Sequence, residues 1–298
     1  MTLPTTNLRF SNINTELGRS STAQFSINDA TFRKLALAGG TGQNQTSGTT
    51  IALGTAKGHA RTTPSIGSDQ YNIFASDILS ASGNYAAGKT WATITVNGGV
   101  WIGSGDVGDA SFTIDGTTGD IIELVNNGYI SGHGGDGGSS SGSSPGTTGN
   151  VGQAGGPALN TPYPVTITNN GAIWGGGGGG GGGYYGIVGS KYARFVPGGG
   201  GGGGAGRFAG AGGNSGPGAT DAPSRPGSAG SDSAGGAGSG TYGTAGGGGA
   251  GGGPGAAGGG AINGGSGAGG AGGAAGAWAW NSGNVSWAVV GDVRGSAG

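Results

Sequence analysis

The chain has 298 residues, a formal net charge of −1, 8% charged residues and no cysteine. These values exclude a disulfide framework, a thiolate zinc cluster and a thiol nucleophile, and a balanced charge with two histidines leaves nothing to attract nucleic acid. Glycine fills 84 positions, where usual usage is about 7%, and most of it follows Gly128, with nine in a row at Gly175–Gly183 and seven at Gly198–Gly204.

Such a composition normally signals low-complexity disorder, because glycine buries no side chain and loses the most backbone entropy on ordering. Two features oppose that reading. The chain is poor in charge, and apolar and aromatic residues such as Trp174, Tyr184, Tyr185, Phe195 and Trp278 punctuate the glycine-rich region, with no Ser, Gln or Glu inside the pure runs 175–183 and 198–204.

Residues 1–40 are compositionally ordinary. Asn28 or Asp29 is a candidate cap for a helix from about Ala30 to Ala38, with Gly39 as its stop; a helix this short needs a partner surface. No cationic start followed by an apolar core marks a signal peptide at the N-terminus, and no run approaches the ~20 apolar residues that span a bilayer. Residues 41–90, rich in Thr, Ser, Gly and Ala, read only as extended segments or loops.

Residues 91–131 read as β. Apolar positions alternate around Ile94, Val96, Val100 and Ile102 and continue through Phe112, Ile114, Ile121, Ile122, Leu124 and Val125. Asn97-Gly98 is a hairpin signal, and Asp115-Gly116 and Asn127-Gly128 mark further turns. A local repeat follows: LVNNGYISGHGGDGG at 124–138 matches ITNNGAIWGGGGGGG at 167–181, which predicts two equivalent strands feeding two glycine strands. The C-terminal stretch 277–298 returns to β character, with a turn at Asn281–Asn284 and with Trp278, Trp280, Trp287, Val289 and Val290 available to pack on the earlier β region.

With 11 prolines and no Gly-X-Y register, collagen is excluded. Consecutive glycines suit a polyglycine II lattice instead: extended left-handed helices with three residues per turn and about 3.1 Å rise, whose amides point outward and are satisfied by close neighbours. Any side chain on an inner face would block that approach. Ten glycine motifs fit this pattern: 132–138, 151–157, 175–183, 198–206, 210–218, 227–230, 235–240, 246–253, 255–260 and 264–277. The expected fold is therefore mostly irregular and β. It comprises an N-terminal attachment region (1–90), a small β domain (91–131, completed by 158–174 and 277–298), and a polyglycine II sandwich of about ten glycine-rich strands (132–276).

If the motifs run up and down, the connections 139–150, 184–197, 219–226, 241–245 and 261–263 fall at one end, away from the β domain. They carry the candidate recognition residues Tyr184, Tyr185, Ile187, Val188, Lys191, Tyr192, Arg194, Phe195, Asp221, Arg225, Tyr242, Ile262 and Asn263. Aromatics mixed with arginine on loops held by a rigid scaffold are what binding surfaces use.

Glycine motifs separated by variable segments resemble the distal receptor-binding adhesins of T-even-type phage long tail fibres. FSNINTELGRSSTAQFSINDATFRKL at 10–35 is similar to an N-terminal segment of phage virion and tail proteins. The resemblance implies a polyglycine II sandwich on an attachment domain, loops that bind an outer-membrane protein or surface glycan of a bacterium, docking on another phage tail protein through the N-terminal region, and a place in the virion at the tail tip or fibre. It implies no enzyme and no cofactor. Two other classes remain open at this point: a purely structural tail component, and an ice-binding protein with regularly spaced Thr or Ala on one face.

Other motifs carry less. GxGxxG patterns recur by composition without the βαβ context that nucleotide binding needs. Asp106, Asp109, Asp115 and Asp120 match no calcium loop and read as turn aspartates, and His59 and His133 are isolated beside glycines. Neither a catalytic constellation nor a metal site can be assembled from them.

Overall fold

The computed structural model describes residues 2–24, 26, 29–38, 58–140, 148–184, 186–188, 194–196, 198–215, 224–241, 245–262 and 268–298. Most of its regular structure is β, accompanied by short helices. Helices α1 (Phe10–Glu16) and α2 (Ala30–Leu37) come first. Then the chain winds as a coil. The first turn supplies β1 (Ala60–Thr62), β2 (Ser65–Ile66), β3 (Gln70–Tyr71) and β4 (Ile73–Phe74), followed by α3 (Ala75–Ala81). The second supplies β5 (Thr90–Val96), β6 (Trp101–Gly103) and β7 (Phe112–Thr113), and the third β8 (Ile121–Asn126), β9 (Tyr129–Ser131) and β10 (Leu159–Asn160). The fourth supplies β11 (Val165–Asn169) and β12 (Ala172–Trp174). After a short hairpin of β13 (Gly186–Val188) and β14 (Arg194–Val196), it is completed by β15 (Ala277–Trp280). The last turn is β16 (Val285–Val289), β17 (Asp292–Arg294) and β18 (Ser296–Ala297).

Strands one coil apart pair in parallel, which makes three sheets: β1/β2-β5-β8-β11-β16, β3-β6-β9-β12-β17 and β4-β7-β10-β15-β18. The result is a three-sided parallel β-helix. The pairing corrects the hairpin expected at Asn97-Gly98: the strands on either side of it enter different sheets, and the turn is a corner. Asp115-Gly116 and Asn127-Gly128 are corners likewise. Residues 58–90, unreadable from sequence, contribute the first coil.

Alternation in each strand stacks like residues through the coils. Ile94, Leu124 and Ile167 align in one column, all fully buried, with Trp287 next in line. Ile102, Ile130 and Ile173 form a second column, and Ile73, Phe112, Leu159 and Ala279 a third. These columns meet as one core. Each buried aliphatic or aromatic side chain contributes about 1.5–3 kcal/mol. Trp278 and Trp287 pack together at 5.3 Å within this core, while Trp280, Val289 and Val290 are exposed.

The Asn-Asn-Gly repeat is a corner ladder. Asn126 and Asn169 are in register on neighbouring coils and fully buried. Asn126 Nδ2 donates to Asn169 Oδ1 (2.8 Å) and to the Ala172 carbonyl (3.0 Å), and Asn169 Nδ2 donates to the Val290 carbonyl (2.7 Å). A Cβ at Gly128 would overlap the Val100 carbonyl oxygen of the coil before, so the glycine of the motif lets adjacent corners close up.

Two excursions leave the β-helix at one corner. The chain departs after β9, returns at β10, departs again after β12 and returns at β15. Inside the second excursion, three successive amides go to three different segments: Gly177 N to Ala205 O (2.7 Å), Gly178 N to Ala256 O (2.9 Å) and Gly179 N to Gln153 O (2.8 Å). The three carbonyls accept from three more: Gly135, Gly252 and Gly273. The pattern repeats three residues later, with Gly180 to Gly202, Gly181 to Gly259 and Gly182 to Asn150. Segment 198–206 is surrounded in the same way, donating to 246–252, 225–231 and 135–138 and accepting from 177–183, 210–213 and 236–239. These are the two pure glycine runs. With backbone on every side, a Cβ at Gly180 would overlap the Gly249 carbonyl oxygen. Segments with fewer neighbours tolerate Ala, Ser and Asn.

The N-terminal segment packs on the first coils. Leu3, Ile13, Leu17, Phe32, Leu35 and Ala36 close over Trp91, and Lys34 pairs with Glu123. Asp29 caps α2, accepting from Thr31 N (2.9 Å) and Phe32 N (3.2 Å). The proposed stop, Gly39, lies outside the described residues. Arg19 bonded to Asp29 holds its carboxyl down at about 2. His59 is buried against the Leu35 carbonyl at 2.7 Å, and burial pushes its pKa down. Because that carbonyl can only accept, Nδ1 carries the proton.

Gly180→Ala is expected to cost at least about 1–3 kcal/mol through overpacking and to lower the melting temperature, whereas Gly253→Ala, where an added Cβ meets nothing within 4 Å, leaves it unchanged in a thermal melt. Both Asp29 and His59 have folded pKa values below their unfolded ones, so their stabilisation is present at neutral pH and lost on acidification. The N-terminal segment is expected to loosen first below the ordinary histidine value of 6.5, then again between 3.8 and about 2, read by limited proteolysis across a pH series.

Candidate receptor-binding loops

Hydrogen bonds between the glycine segments fix which connections lie together. Asn150 N donates to Ser139 O (3.0 Å), Gly183 N to Gly199 O (2.7 Å), Gly199 N to Gly246 O (3.0 Å) and Gly246 N to Tyr184 O (3.2 Å). Ile262 N donates to Gly247 O (2.9 Å), Gly270 N to Gly182 O (2.9 Å) and Gly200 N to Arg225 O (3.0 Å). These residues flank the connections 139–150, 184–197, 219–226, 241–245 and 261–263, so all five are rooted side by side. The other ends of the segments run into β9, β10, β12 and β15 or into the short turns at 206–209, 231–234 and 253–255. One end of the lattice thus carries the connections and the other carries the β-helix.

The candidate residues fall into three groups. Tyr185, Lys191, Tyr192, Asp221, Tyr242 and Asn263 lie outside the described residues. Ile187, Val188, Arg194 and Phe195 are described by backbone alone: they form the antiparallel β13–β14 hairpin, with Ile187 opposite Phe195 and Val188 opposite Arg194. The remainder have described side chains. Ile262 is 55% exposed. Arg225 Nη1 donates to the carbonyls of Gly240 (3.0 Å) and Thr241 (2.7 Å), which ties the root of one loop to the root of the next. Tyr184 is corrected: it is 1% exposed, because its ring packs over Gly246, where no side chain intervenes. It supports the loops from beneath and is not on their outer surface.

Sequence reasoning missed the lock between lattice and β-helix. Arg207, in the 206–209 turn, donates to Asp69 (2.7 Å) and Asp232 (3.0 Å) and lies over the Trp101 ring at 5.6 Å. The Trp101 amide and Arg207 both hold the Asp69 carboxyl below the usual range. Phe208 beside it contacts Tyr71 (4.8 Å) and stacks with His133 (6.2 Å). Behind them Trp101 stacks on Tyr129 at 4.4 Å, and Arg294 lies over Trp174 at 4.8 Å. A single arginine among glycines was the available signal, but nothing in the sequence names its partners 138 and 25 residues away. The aspartates read as turn residues have structural partners: Asp106 accepts from Gly108 N, Asp115 from Ser76 N and Oγ, and Asp120 from Thr90 N and the Tyr85 hydroxyl. Asp109 accepts from Asn72.

The architecture is a β-helix that carries a glycine-rich lattice, with the connections rooted at the lattice's far end. The profile of the phage tail fibre adhesin Gp38 family matches residues 61–298, and the chain belongs to that family. It is a receptor-binding adhesin of the virion's tail fibre. The fold is similar to the crystal structure of the gp37–gp38 adhesin tip complex of the bacteriophage S16 long tail fibre, with a TM-score of 0.59 and 22% identity over 96% of each chain. No curated protein sequence matches.

Arg207→Ala is expected to leave the β-helix core intact and to loosen the lattice at its base, seen as faster amide exchange at residues 206–210 and 231–236. Exchange unchanged from the wild type would show that the lattice holds without this arginine.

Proposed function

We propose that this adhesin recognises a bacterial outer-membrane protein or surface glycan through the five connections at the far end of its glycine lattice, and acts as a binding protein rather than an enzyme. The observation that carries the reading is the lateral bonding of all five loop roots: Ser139 to Asn150, Gly183 to Gly199 to Gly246, Gly247 to Ile262 and Gly200 to Arg225. Loops rooted this way gather into one surface and lose little entropy on binding. The recognition residues on that surface are Tyr185, Ile187, Val188, Lys191, Tyr192, Arg194, Phe195, Asp221, Arg225, Tyr242, Ile262 and Asn263.

The lattice itself is a polyglycine II sandwich of about ten strands. Its support is the three-residue repeat of amides directed to different neighbours. The chain divides accordingly into an attachment body, made of the N-terminal region and the β-helix, and a presenting body at 132–157 and 175–276. The S16 relative was solved with a second tail protein, gp37, which supports docking of the attachment body on another tail-fibre protein.

Exchanging residues 184–197 for the corresponding loop of a relative with another host is expected to move adsorption toward that host, with thermal stability preserved. If this exchange and exchanges of the other four loops all leave host range unchanged, the reading fails.

A further inference from the structure

We infer that the groove beside the first coil of the β-helix is where an extended segment of a second tail-fibre protein adds as a strand. The inference rests on the adhesin reading above and names the docking site that reading requires. The β1–β2 edge begins one of the three sheets. Ala60 N, Pro64 O and Ile66 O bond inward to the β5 strand, so the alternating backbone groups of Arg61, Thr63, Ser65 and Gly67 face away from the sheet. Those of Arg61 are taken by Glu16 Oε1 and Asn84 Nδ2. Those of Thr63, Ser65 and Gly67, three exposed residues, line an open groove of about 730 Å³. Ile66, Ile73 and, from α3, Ile78 and Ala81 line it together with polar residues such as Gln70 and Ser82.

A strand edge beside a helix, with isoleucines among polar residues in the groove between them, suits peptide strand addition, in which the backbone bonds give affinity and alternate side chains find pockets. The edge already takes one isolated antiparallel bridge: the chain's own Thr2 pairs with Ala60, Leu3 N donates to His59 O (2.8 Å) and Gly58 N to Leu3 O (3.1 Å). That pairing stops where the groove begins. The occupant is a segment of alternating apolar and polar residues, apolar toward Ile66, Ile73 and Ile78. Two observations make it a fibre protein. The S16 relative is seen in complex with one. The groove is lined by the first coil and α3, whereas the lattice leaves from the third and fourth coils, so an occupant here leaves the receptor loops free.

Ser65→Pro tests the site. It removes an outward N–H at an edge position where proline is tolerated. Ala81→Trp fills the groove from the helix side. Adhesin-free fibres of the same phage are mixed with purified protein and sedimented. The wild type is expected to co-sediment; both variants are expected to lose at least about tenfold in fibre affinity while keeping the wild-type melting temperature and wild-type binding of the isolated protein to bacteria. Co-sedimentation of either folded variant at wild-type affinity overturns the inference. So does a wild-type dimer in light scattering that Ser65→Pro abolishes, since the edge would then pair copies of this chain. A wild type that joins fibres but never binds bacteria would instead sink the receptor-binding reading and leave the groove assignment standing.

Discussion

A backbone amide removed from water must find a partner, and in the two pure glycine runs the amides find it in carbonyls of neighbouring segments. Gly177, Gly178 and Gly179 send three amides and three carbonyls to six different segments. That is possible only if the segments approach until no room remains for a Cβ, as the overlap at Gly180 illustrates. Ordering so much glycine is entropically costly, and dense hydrogen bonding among buried backbone groups offsets that cost. The composition and the loop display both follow from this constraint. A lattice that admits no inner side chains leaves the connections as the places where sequence can vary freely.

The β-helix solves a different problem. A glycine lattice has no apolar columns of its own to set its register, and the coils supply them. Ile94, Leu124 and Ile167 stack in step, the Asn126–Asn169 pair fixes the corner, and the chain enters the lattice from β9 and β12 at matched heights. Arg207 and Phe208 then clamp the lattice base against Asp69, Trp101 and Tyr71. The far end of the lattice is thereby tied to the hydrophobic core of the β-helix.

Much of the lattice was legible because glycine is so restrictive. Pure runs at 175–183 and 198–204 predict inner positions, and the same two runs are the ones surrounded by backbone. The up-and-down reading of the runs predicts which connections share an end, and the bonds among Ser139, Gly183, Gly246 and Ile262 agree. The repeated Asn-Asn-Gly was readable as two equivalent strands. Tyr184 was misread as a surface residue, because an aromatic after nine glycines looks the same whether it points out or folds back over Gly246.

Local chemistry in the sequence determined where side chains are forbidden, where strands alternate and where corners turn. Tertiary structure alone decided that the alternating segments pair in parallel with partners one coil away, since Asn97-Gly98 reads identically as a hairpin or as a corner and only the long-range register between Ile94 and Leu124 distinguishes them. It also decided the Arg207 clamp and the open edge beside α3. Both depend on groups distant in sequence meeting in space, and a pairing of that kind leaves no periodicity or composition to read.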